Sequence, residues 1–295
     1  AEVRKDPRHP KMLTGARSVV VLAASYRRRG AFAGPAPARV AKYAHGRDYH
    51  NVLTKKARRL SKLLTDQGYP SRVAVDSKPV FERAWAERAG VGFIGKNCCL
   101  IVPGLGSHVL LACIVTGAPL EPDAPMERRC GDCSLCLTAC PTGAFVDARN
   151  LDARECISYL TIEHRGPIPE VYRDGIGEWM FGCDVCQDVC PYNQSARQDA
   201  GMEPFEPGER WDDLEASDFL RMDEARFSAW AEGSALKRAK REGLARNTAL
   251  VLGNRGEACH LPVLDEARAG DPSEVVRDAA AWAHARLSRR LGVEE

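Results

Sequence analysis

The first 125 residues alternate between short apolar runs and stretches with helical periodicity. Residues 18–24 and 109–116 are apolar runs, and each predicts a buried strand. Residues 48–67 carry valine and leucine among basic residues, which predicts an amphipathic helix that stops at the following glycine. A short strand is predicted over residues 72–76 and a helix over residues 79–88. This alternation predicts an α/β core.

From residue 201 onward the pattern is helical. Residues 246–253 resemble residues 277–284, and their offset of 31 residues is close to the period of stacked helical-hairpin repeats. We therefore expect a C-terminal α-helical tail of HEAT-like repeats. The predicted domains are an α/β domain over residues 1–125, a cysteine-rich domain over residues 126–200 and the helical tail over residues 201–295.

Length and composition allow a protein of about two domains with substantial cores, since 44% of the 295 residues are hydrophobic. The net charge of +2 excludes neither acidic nor neutral partners. No apolar run reaches the length of about 18 residues that suggests a membrane span, and the start does not resemble a signal peptide. We expect a soluble, monomeric protein without a membrane partner. Because a strand follows so soon after Ala1, we also expect the native N-terminus to lie upstream.

Eight of the twelve cysteines belong to two related motifs and the segment between them. A C-x2-C-x2-C-x3-C-P run ends at Pro141, and a C-x2-C-x3-C-P run ends at Pro191. In two-cluster ferredoxins, three closely spaced cysteines hold one 4Fe–4S cluster, while the cysteine before the proline ligates the other cluster. The second run has Met180 in place of its first cysteine, and Cys156 is the obvious replacement. A helix that begins at Asp152 is predicted over residues 152–164, around Cys156.

The two motifs therefore predict a ferredoxin-like domain with two 4Fe–4S clusters and crossed ligands. The first ligand set is Cys130, Cys133, Cys136 and Cys190, and the second is Cys140, Cys156, Cys183 and Cys186. Zinc sites and disulfides are the alternatives. Zinc also uses C-x2-C pairs, but it does not explain two C-x3-C-P endings. Cluster ligands must remain reduced thiolates, which favours a cytoplasmic protein that transfers single electrons. No role is assigned to Cys98, Cys99, Cys113 and Cys259.

The α/β region offers few motifs that indicate chemistry. It has no G-x-G-x-x-G sequence, so a Rossmann-type dinucleotide site has no support. Residues 48–50 begin only a partial D-x-H-x-x-G, so His50 is interpreted as a structural residue of the first helical turn. Asp76 is the stronger candidate, because it ends a predicted strand where α/β sheets place ligands. In an apolar pocket the pKa of Asp76 would rise and make it a proton donor. The alternative is an aspartate that caps a turn or helix.

Basic residues are concentrated in two segments, residues 55–62 and residues 237–246. Such clusters are typical of phosphate-binding surfaces. On an α-helix, residues 237 and 241 would share one face. The alternative is a solvated helix face.

Six short motifs along the chain form one further signature when they are taken together. They are G-R-D-Y-H at 46–50, V-D-S at 75–77, G-F-I-G-K-N at 92–97, the first cysteine run with P-T-G-A at 141–144, C-I-S-Y-L-T-I-E at 156–163, and F-G-C through the second C-P at 181–191. Together they resemble the epoxyqueuosine reductase family over nearly the whole chain. The sequence departs from the family in lacking its usual N-terminal stretch before Ala1.

The resemblance implies a cobalamin-dependent enzyme related to reductive dehalogenases. It would reduce epoxyqueuosine at the wobble position of the tRNAs for Asp, Asn, His and Tyr. Electrons from an external donor would pass through the clusters to form cob(I)alamin. This nucleophile, or a radical equivalent, would attack an epoxide carbon, while Asp76 would protonate the epoxide oxygen. The residues that the resemblance places at cobalamin are Asp76, Lys96, Asn97, Leu100 and Ser158. The basic residues expected to contact tRNA phosphates are Lys237, Arg238, Lys240, Arg241 and Arg246.

Two other functions remain open from the sequence. A reductive dehalogenase would share both cofactors but act on a small organohalide. The helical tail and the lack of an export signal argue against it. A noncatalytic iron–sulfur electron carrier on a helical scaffold would need no cobalamin, so absorption spectra would distinguish it from the two enzymes.

Overall fold

Strands and helices mix in the first part of the chain, and helices alone follow. The structure, a computed structural model, describes residues 12–27, 32–197 and 201–293. Its strands are β1 (Ser18–Ser25), β2 (Arg39–Val40), β3 (Ser71–Ala74), β4 (Phe93–Ile94), β5 (Leu100–Ile101), β6 (Val109–Thr116), β7 (Phe145–Asp147), β8 (Asn150–Leu151) and β9 (Trp179–Phe181). Its α-helices are α1 (Tyr49–Asp66), α2 (Glu82–Arg88), α3 (Leu135–Thr138), α4 (Ile157–Ile162), α5 (Glu170–Ile176), α6 (Val185–Asp188), α7 (Pro191–Gln194), α8 (Asp218–Arg221), α9 (Glu224–Trp230), α10 (Lys240–Arg255), α11 (Leu261–Gly270) and α12 (Glu274–Leu291).

The sheet of the N-terminal region is antiparallel, with the strand order β1–β6–β3. Ser18 of β1 and Ser71 of β3 both pair with Thr116 of β6. The strands predicted at residues 18–24 and 109–116 are therefore confirmed. Asp76 therefore does not lie at a shared carboxyl edge of parallel strands, and the prediction that placed it there is wrong. Antiparallel neighbours run in opposite directions, so their carboxyl ends do not share one edge.

Capping and burial explain the long helix α1, which confirms the predicted amphipathic helix. The Asp48 side chain accepts a hydrogen bond from the backbone N–H of His50 at 2.8 Å, which caps the helix start. Val52, Leu53 and Ala57 are buried in the core beside the sheet. Gly68 follows the last turn with a φ of +88°, a conformation that glycine adopts without strain.

Two predicted elements are shorter than expected, and the turn between them explains both. β3 ends at Ala74, because Asp76 adopts a φ of +50° and turns the chain out of the sheet. α2 begins at Glu82 rather than at Pro79. The preceding residues form a tight turn in which the Val80 N–H donates to the Lys78 carbonyl at 2.8 Å.

The tail packs its longest helices directly together. The two similar stretches at 246–253 and 277–284 lie in α10 and α12, and α11 lies between these helices in the sequence. A Cβ atom on Gly253 would lie 2.7 Å from the Ala283 Cα, so the two backbones approach closely at this glycine. The assignment to HEAT-like repeats stays a prediction.

One hydrophobic core joins the tail to earlier parts of the chain. It includes Val40, Leu160 and Phe181 together with Leu250 of α10. β2 also pairs in parallel with β9, so segments about 140 residues apart share a small sheet. In the part of the chain that the structure describes, none of the helices has the length and apolar character of a membrane span.

Candidate active site and cluster ligands

The four cysteines of the first predicted set line one small cavity. Cys130, Cys133, Cys136 and Cys190 all border it. Cys136 lies in α3, and Cys190 directly precedes α7. Burial, followed by the neighbouring Cys190 and Cys130, raises the pKa of Cys136 to about 11. Four thiolates so close together need a cationic partner, and an iron–sulfur cluster supplies one.

The cysteines of the second predicted set also lie close together. Burial raises the pKa of Cys183 to about 12, and nearby Cys156 and Cys140 contribute. A hydrogen bond with Cys99 and burial raise the pKa of Cys186, to which Cys183 and Cys156 add. The donor chemistry again suits a cluster, because bound iron would stabilise thiolates that burial disfavours.

The backbone around Cys156 differs from the prediction. A helix was predicted over residues 152–164, but Cys156 has extended backbone between the 3-10 helix Ala153–Glu155 and α4. The Asp152 side chain caps the 3-10 helix by accepting from the Arg154 N–H. All twelve cysteines lie within the described residues, and none of them is in a disulfide there.

Asp76 lies in a hydrogen-bonded group of side chains at the start of α1. The Tyr49 hydroxyl donates to Asp76 Oδ2 at 2.7 Å, and His50 Nε2 lies 3.3 Å from the same oxygen. His50 Nδ1 lies 2.8 Å from Asp48 Oδ1. The φ of +50° at Asp76 is uncommon for a residue other than glycine, and such conformations cluster at functional sites. The side chain of Asp76 is 64% exposed, so the expected apolar pocket around it is not present.

The protonation of this group follows from its hydrogen bonds. Those with Asp48 and then Asp76 raise the pKa of His50 to about 9, so the ring is cationic at neutral pH. Burial alone would raise the pKa of Asp48, but its hydrogen bonds with His50 outweigh burial and lower it. Burial and the charge of Asp76 raise the pKa of Tyr49, which keeps the phenol protonated. Asp76 therefore has two protonated neighbours.

A cavity of about 400 Å³ extends from Asp76 to Cys98 and is also lined by Phe81, Arg83 and Arg149. The residue after Cys98 is Cys99, whose thiol contacts Cys186 of the second set. The Arg83 guanidinium donates to the Cys98 carbonyl and so fixes one wall. The cavity thus lies between the hydrogen-bonded group at Asp76 on one side and the second cysteine set on the other.

The other residues expected at cobalamin lie along the segments that support the cluster sites. Lys96 Nζ donates to the Gly131 carbonyl at 2.7 Å, and the Asn97 side-chain amide donates to the Cys186 carbonyl at 3.3 Å. Leu100 is buried in β5. Ser158 is half-buried in α4, two residues after Cys156. Their contacts with a corrinoid stay a prediction.

Two of the five residues expected to bind tRNA phosphates are buried. The Arg246 side chain donates to the carbonyls of Leu160, His164 and Gly166 at 2.7 to 3.1 Å and is 1% exposed. Arg241 is 8% exposed and forms a bidentate ion pair with Asp271. We therefore assign both arginines to the packing of the tail rather than to an RNA surface.

The remaining three basic residues are exposed, but they do not share a helix face. Lys237 and Arg238 lie in the 3-10 helix Ala235–Ala239, and Lys240 begins α10 with a φ of +63°. The predicted pairing of residues 237 and 241 on one α-helix is therefore wrong, because the chain changes direction between them. Arg238 also forms a bidentate ion pair with Glu163 at the end of α4.

Four contributors to these sites were not predicted from the sequence. Tyr49 and His50 carry the hydrogen bonds to Asp76, and the available signal was their place in the G-R-D-Y-H stretch. Cys99 was left without a role, and no spacing marked it. Asn247 is fully buried, and its side-chain amide donates to the carbonyls of Thr161 and Met180 at 2.7 and 2.9 Å. It braces the segments that carry Cys156 and Cys183.

Two protein-family models match the chain. The model described as "4Fe-4S double cluster binding domain" matches residues 129–193. The model described as "Epoxyqueuosine reductase QueG, DUF1730" matches residues 4–77. The first match spans all eight predicted cluster ligands, seven in the two motifs and Cys156 between them.

Relatives and solved structures resemble the chain over most of its length. The epoxyqueuosine reductase of Gloeobacter violaceus is 41% identical over 262 residues, which are 86% of this chain and 82% of that protein. The epoxyqueuosine reductase of Pseudomonas aeruginosa is 42% identical over 289 residues, which are 95% of this chain and 79% of that protein. A crystal structure of epoxyqueuosine reductase with a tRNA-Tyr epoxyqueuosine-modified tRNA stem loop is 35% identical, with a TM-score of 0.85 over 94% of this chain and 75% of that one. The structure of the Streptococcus thermophilus epoxyqueuosine reductase is 28% identical, with a TM-score of 0.86 over 95% of this chain and 76% of that one.

Proposed function

The chain belongs to the epoxyqueuosine reductase family, which reduces epoxyqueuosine in tRNA to queuosine, and we propose how its own residues carry out that reaction. The proposed substrates are the tRNAs for Asp, Asn, His and Tyr with epoxyqueuosine at the wobble position. The observation that carries the proposal is the cavity bounded by Asp76 and by the segment next to the second cysteine set. It would hold the reacting base between a proton source and an electron source.

Removal of the epoxide oxygen as water consumes two electrons and two protons. Both C–O bonds of the epoxide break, a carbon–carbon double bond forms, and the oxygen leaves with the two protons. The domain matched at residues 129–193 binds two 4Fe–4S clusters, and each cluster transfers one electron at a time. An external donor must reduce the two clusters again after each turnover, because each cluster stores only one electron.

We propose that electrons enter at the first cluster and leave at the second. Cys133 of the first ligand set is exposed, which brings that cluster near the surface where a donor protein docks. The second set contacts Cys99, next to Cys98 at the wall of the cavity. This order places the second cluster nearer to the reacting base.

Asp76 is the proposed proton donor to the epoxide oxygen. It is exposed toward the cavity and held by Tyr49 and His50, so its carboxyl group is oriented before the substrate binds. Asp76 is exposed enough to take up a new proton from water after each transfer, while Asp48 holds the cationic His50 ring beside it through Nδ1. General acid catalysis of this kind contributes about 10²–10⁴-fold to a rate.

Cobalamin is the cofactor that we propose to bind next to the cavity that receives the base. Bound there, it would lie between Asp76 and the segment beside the second cysteine set. Lys96, Asn97, Leu100 and Ser158 are the residues proposed to hold it. When bound, cobalamin supplies a low-valent cobalt that acts as a strong nucleophile toward carbon.

The test is anaerobic incubation of the purified protein with epoxyqueuosine-containing tRNA, cobalamin and a strong reductant, followed by nucleoside analysis. We expect conversion to queuosine only when all components are present. Loss of the cofactor requirement would remove cobalamin from the proposal, and no conversion in the complete mixture would remove the proposed function.

A further inference from the structure

A second cavity, of about 340 Å³, lies between α1 and β3 on the other side of the Asp76 turn. Val75 and Ser77, the two neighbours of Asp76, line it, and so does His50. The cavity and the proposed active site therefore share one wall, the turn that carries Asp76. A ligand bound in this cavity would lie beside the reacting base.

The side chains around the second cavity are those of an anion site. Arg58, Arg72 and Lys78 line it together with the hydroxyls of Thr54 and Ser61. The lining residues in the described part of the chain include no aspartate or glutamate. Guanidinium groups and hydroxyls together offer the several converging donors that phosphate oxygens accept.

The three cations are not engaged elsewhere in the part of the chain that the structure describes. Arg58, Arg72 and Lys78 have no side-chain hydrogen bond or ion pair there, whereas Arg241 and Arg246 of the tail are fully occupied. Hydrogen bonds to Asp48 and Asp76 also keep the neighbouring His50 cationic. Converging positive charges repel one another unless an anion neutralises them.

We propose that this cavity binds a backbone phosphodiester of the substrate tRNA next to the modified nucleotide. The inference rests on the proposed function, because the reacting base at Asp76 is what brings the RNA backbone here. An enzyme that acts on an extruded base must hold the flanking backbone, and contacts to phosphates fix that register. Because Arg241 and Arg246 of the tail are buried, the cations of this cavity supply phosphate contacts that those two arginines do not make.

The test compares two charge-matched variants that each lose three cations. R58Q/R72Q/K78Q removes the cations of the cavity. K55Q/K56Q/R59Q removes three exposed cations of α1, the helix that carries Arg58, and none of these three residues lines the cavity. The probe is a synthetic anticodon stem–loop RNA, and its affinity is measured against salt concentration. Iron content, cobalamin retention and the melting temperature are measured for both variants, because all the changed residues are exposed and both proteins should fold.

The cavity variant should bind the RNA about tenfold more weakly, and its salt slope should fall by about 1, as expected for one lost phosphate contact. The control variant should change the affinity by about twofold or less. Equal losses in the two variants would mean general charge attraction and would overturn the site. An unchanged slope with lost cobalamin retention would also overturn it, since the cavity would then hold the phosphodiester of the corrinoid. If the wild type binds RNA but makes no queuosine, the proposed function fails while this site stands.

Discussion

Replacing Arg246 by methionine is expected to destabilise the protein by about 3 kcal/mol without a direct loss of RNA contacts. Among the described residues, the guanidinium is the only donor to the carbonyls of His164 and Gly166, and it also donates to the carbonyl of Leu160. An unsatisfied buried acceptor costs about 1–3 kcal/mol. Methionine fills a similar volume and removes the cost of burying a charge, which offsets part of this loss. The net decrease in the free energy of unfolding is about 3 kcal/mol.

The measurement is the midpoint of thermal unfolding of the anaerobic protein with its clusters bound. An unfolding entropy of about 2.1 cal/mol/K per residue gives about 0.6 kcal/mol/K for 295 residues. A loss of about 3 kcal/mol therefore lowers the midpoint by about 5 °C. The matched control is Lys237→Met, which changes an exposed cation of the same basic segment and should leave the midpoint unchanged.

The opposite pattern would refute this reasoning. If Arg246→Met melts with the wild type but binds tRNA more weakly, with a smaller salt slope, then Arg246 contacts RNA phosphates as the sequence first indicated. If tRNA affinity is reduced only above the lowered midpoint and returns to the wild-type value when the assay is cooled below it, the structural role of Arg246 is supported.

Three further predictions follow from other parts of the structure. Cys156→Ala should retain about four of eight iron atoms per chain, and iron equal to the wild type would exclude Cys156 as a ligand. The pKa of His50 is raised to about 9, so its cation is present below that pH and lost above it, and the reduction rate should fall as the pH rises through about 9. His50→Gln should abolish this fall in the pH–rate profile. If the fall persists in the variant, another group is responsible for it. Gly253→Ala would place a Cβ 2.7 Å from the Ala283 Cα and should cost about 1–3 kcal/mol in a denaturant titration, whereas an unchanged midpoint would show that α10 and α12 separate freely.

Elements whose signal is local could be predicted from the sequence. β6 follows from one apolar run, and its bounds agree with those predicted. The start of α1 follows from Asp48, whose side chain caps the helix. The cysteine spacings also placed Cys130, Cys133, Cys136 and Cys190 in one set, and the structure brings these four residues around one cavity.

Features that depend on distant parts of the chain could not be predicted in this way. Arg246 lies in a basic segment like any surface cation, and only the fold shows that it reaches carbonyls about 80 residues earlier in the chain. The antiparallel pairing of β1 with β6 is likewise set by segments about 90 residues apart. The chain turns at Asp76 through a left-handed backbone conformation, which an aspartate at this position does not by itself predict.

The most direct test of the account is the single-turnover rate of Asp76→Asn on epoxyqueuosine-containing tRNA. Asparagine keeps the shape of the side chain but has no acidic proton to donate. We expect the rate of epoxide reduction to fall about 10²–10⁴-fold, while cluster content, cobalamin binding and tRNA affinity stay within about twofold of the wild type. A variant that converts epoxyqueuosine to queuosine at the wild-type rate would contradict the central claim that Asp76 protonates the epoxide oxygen.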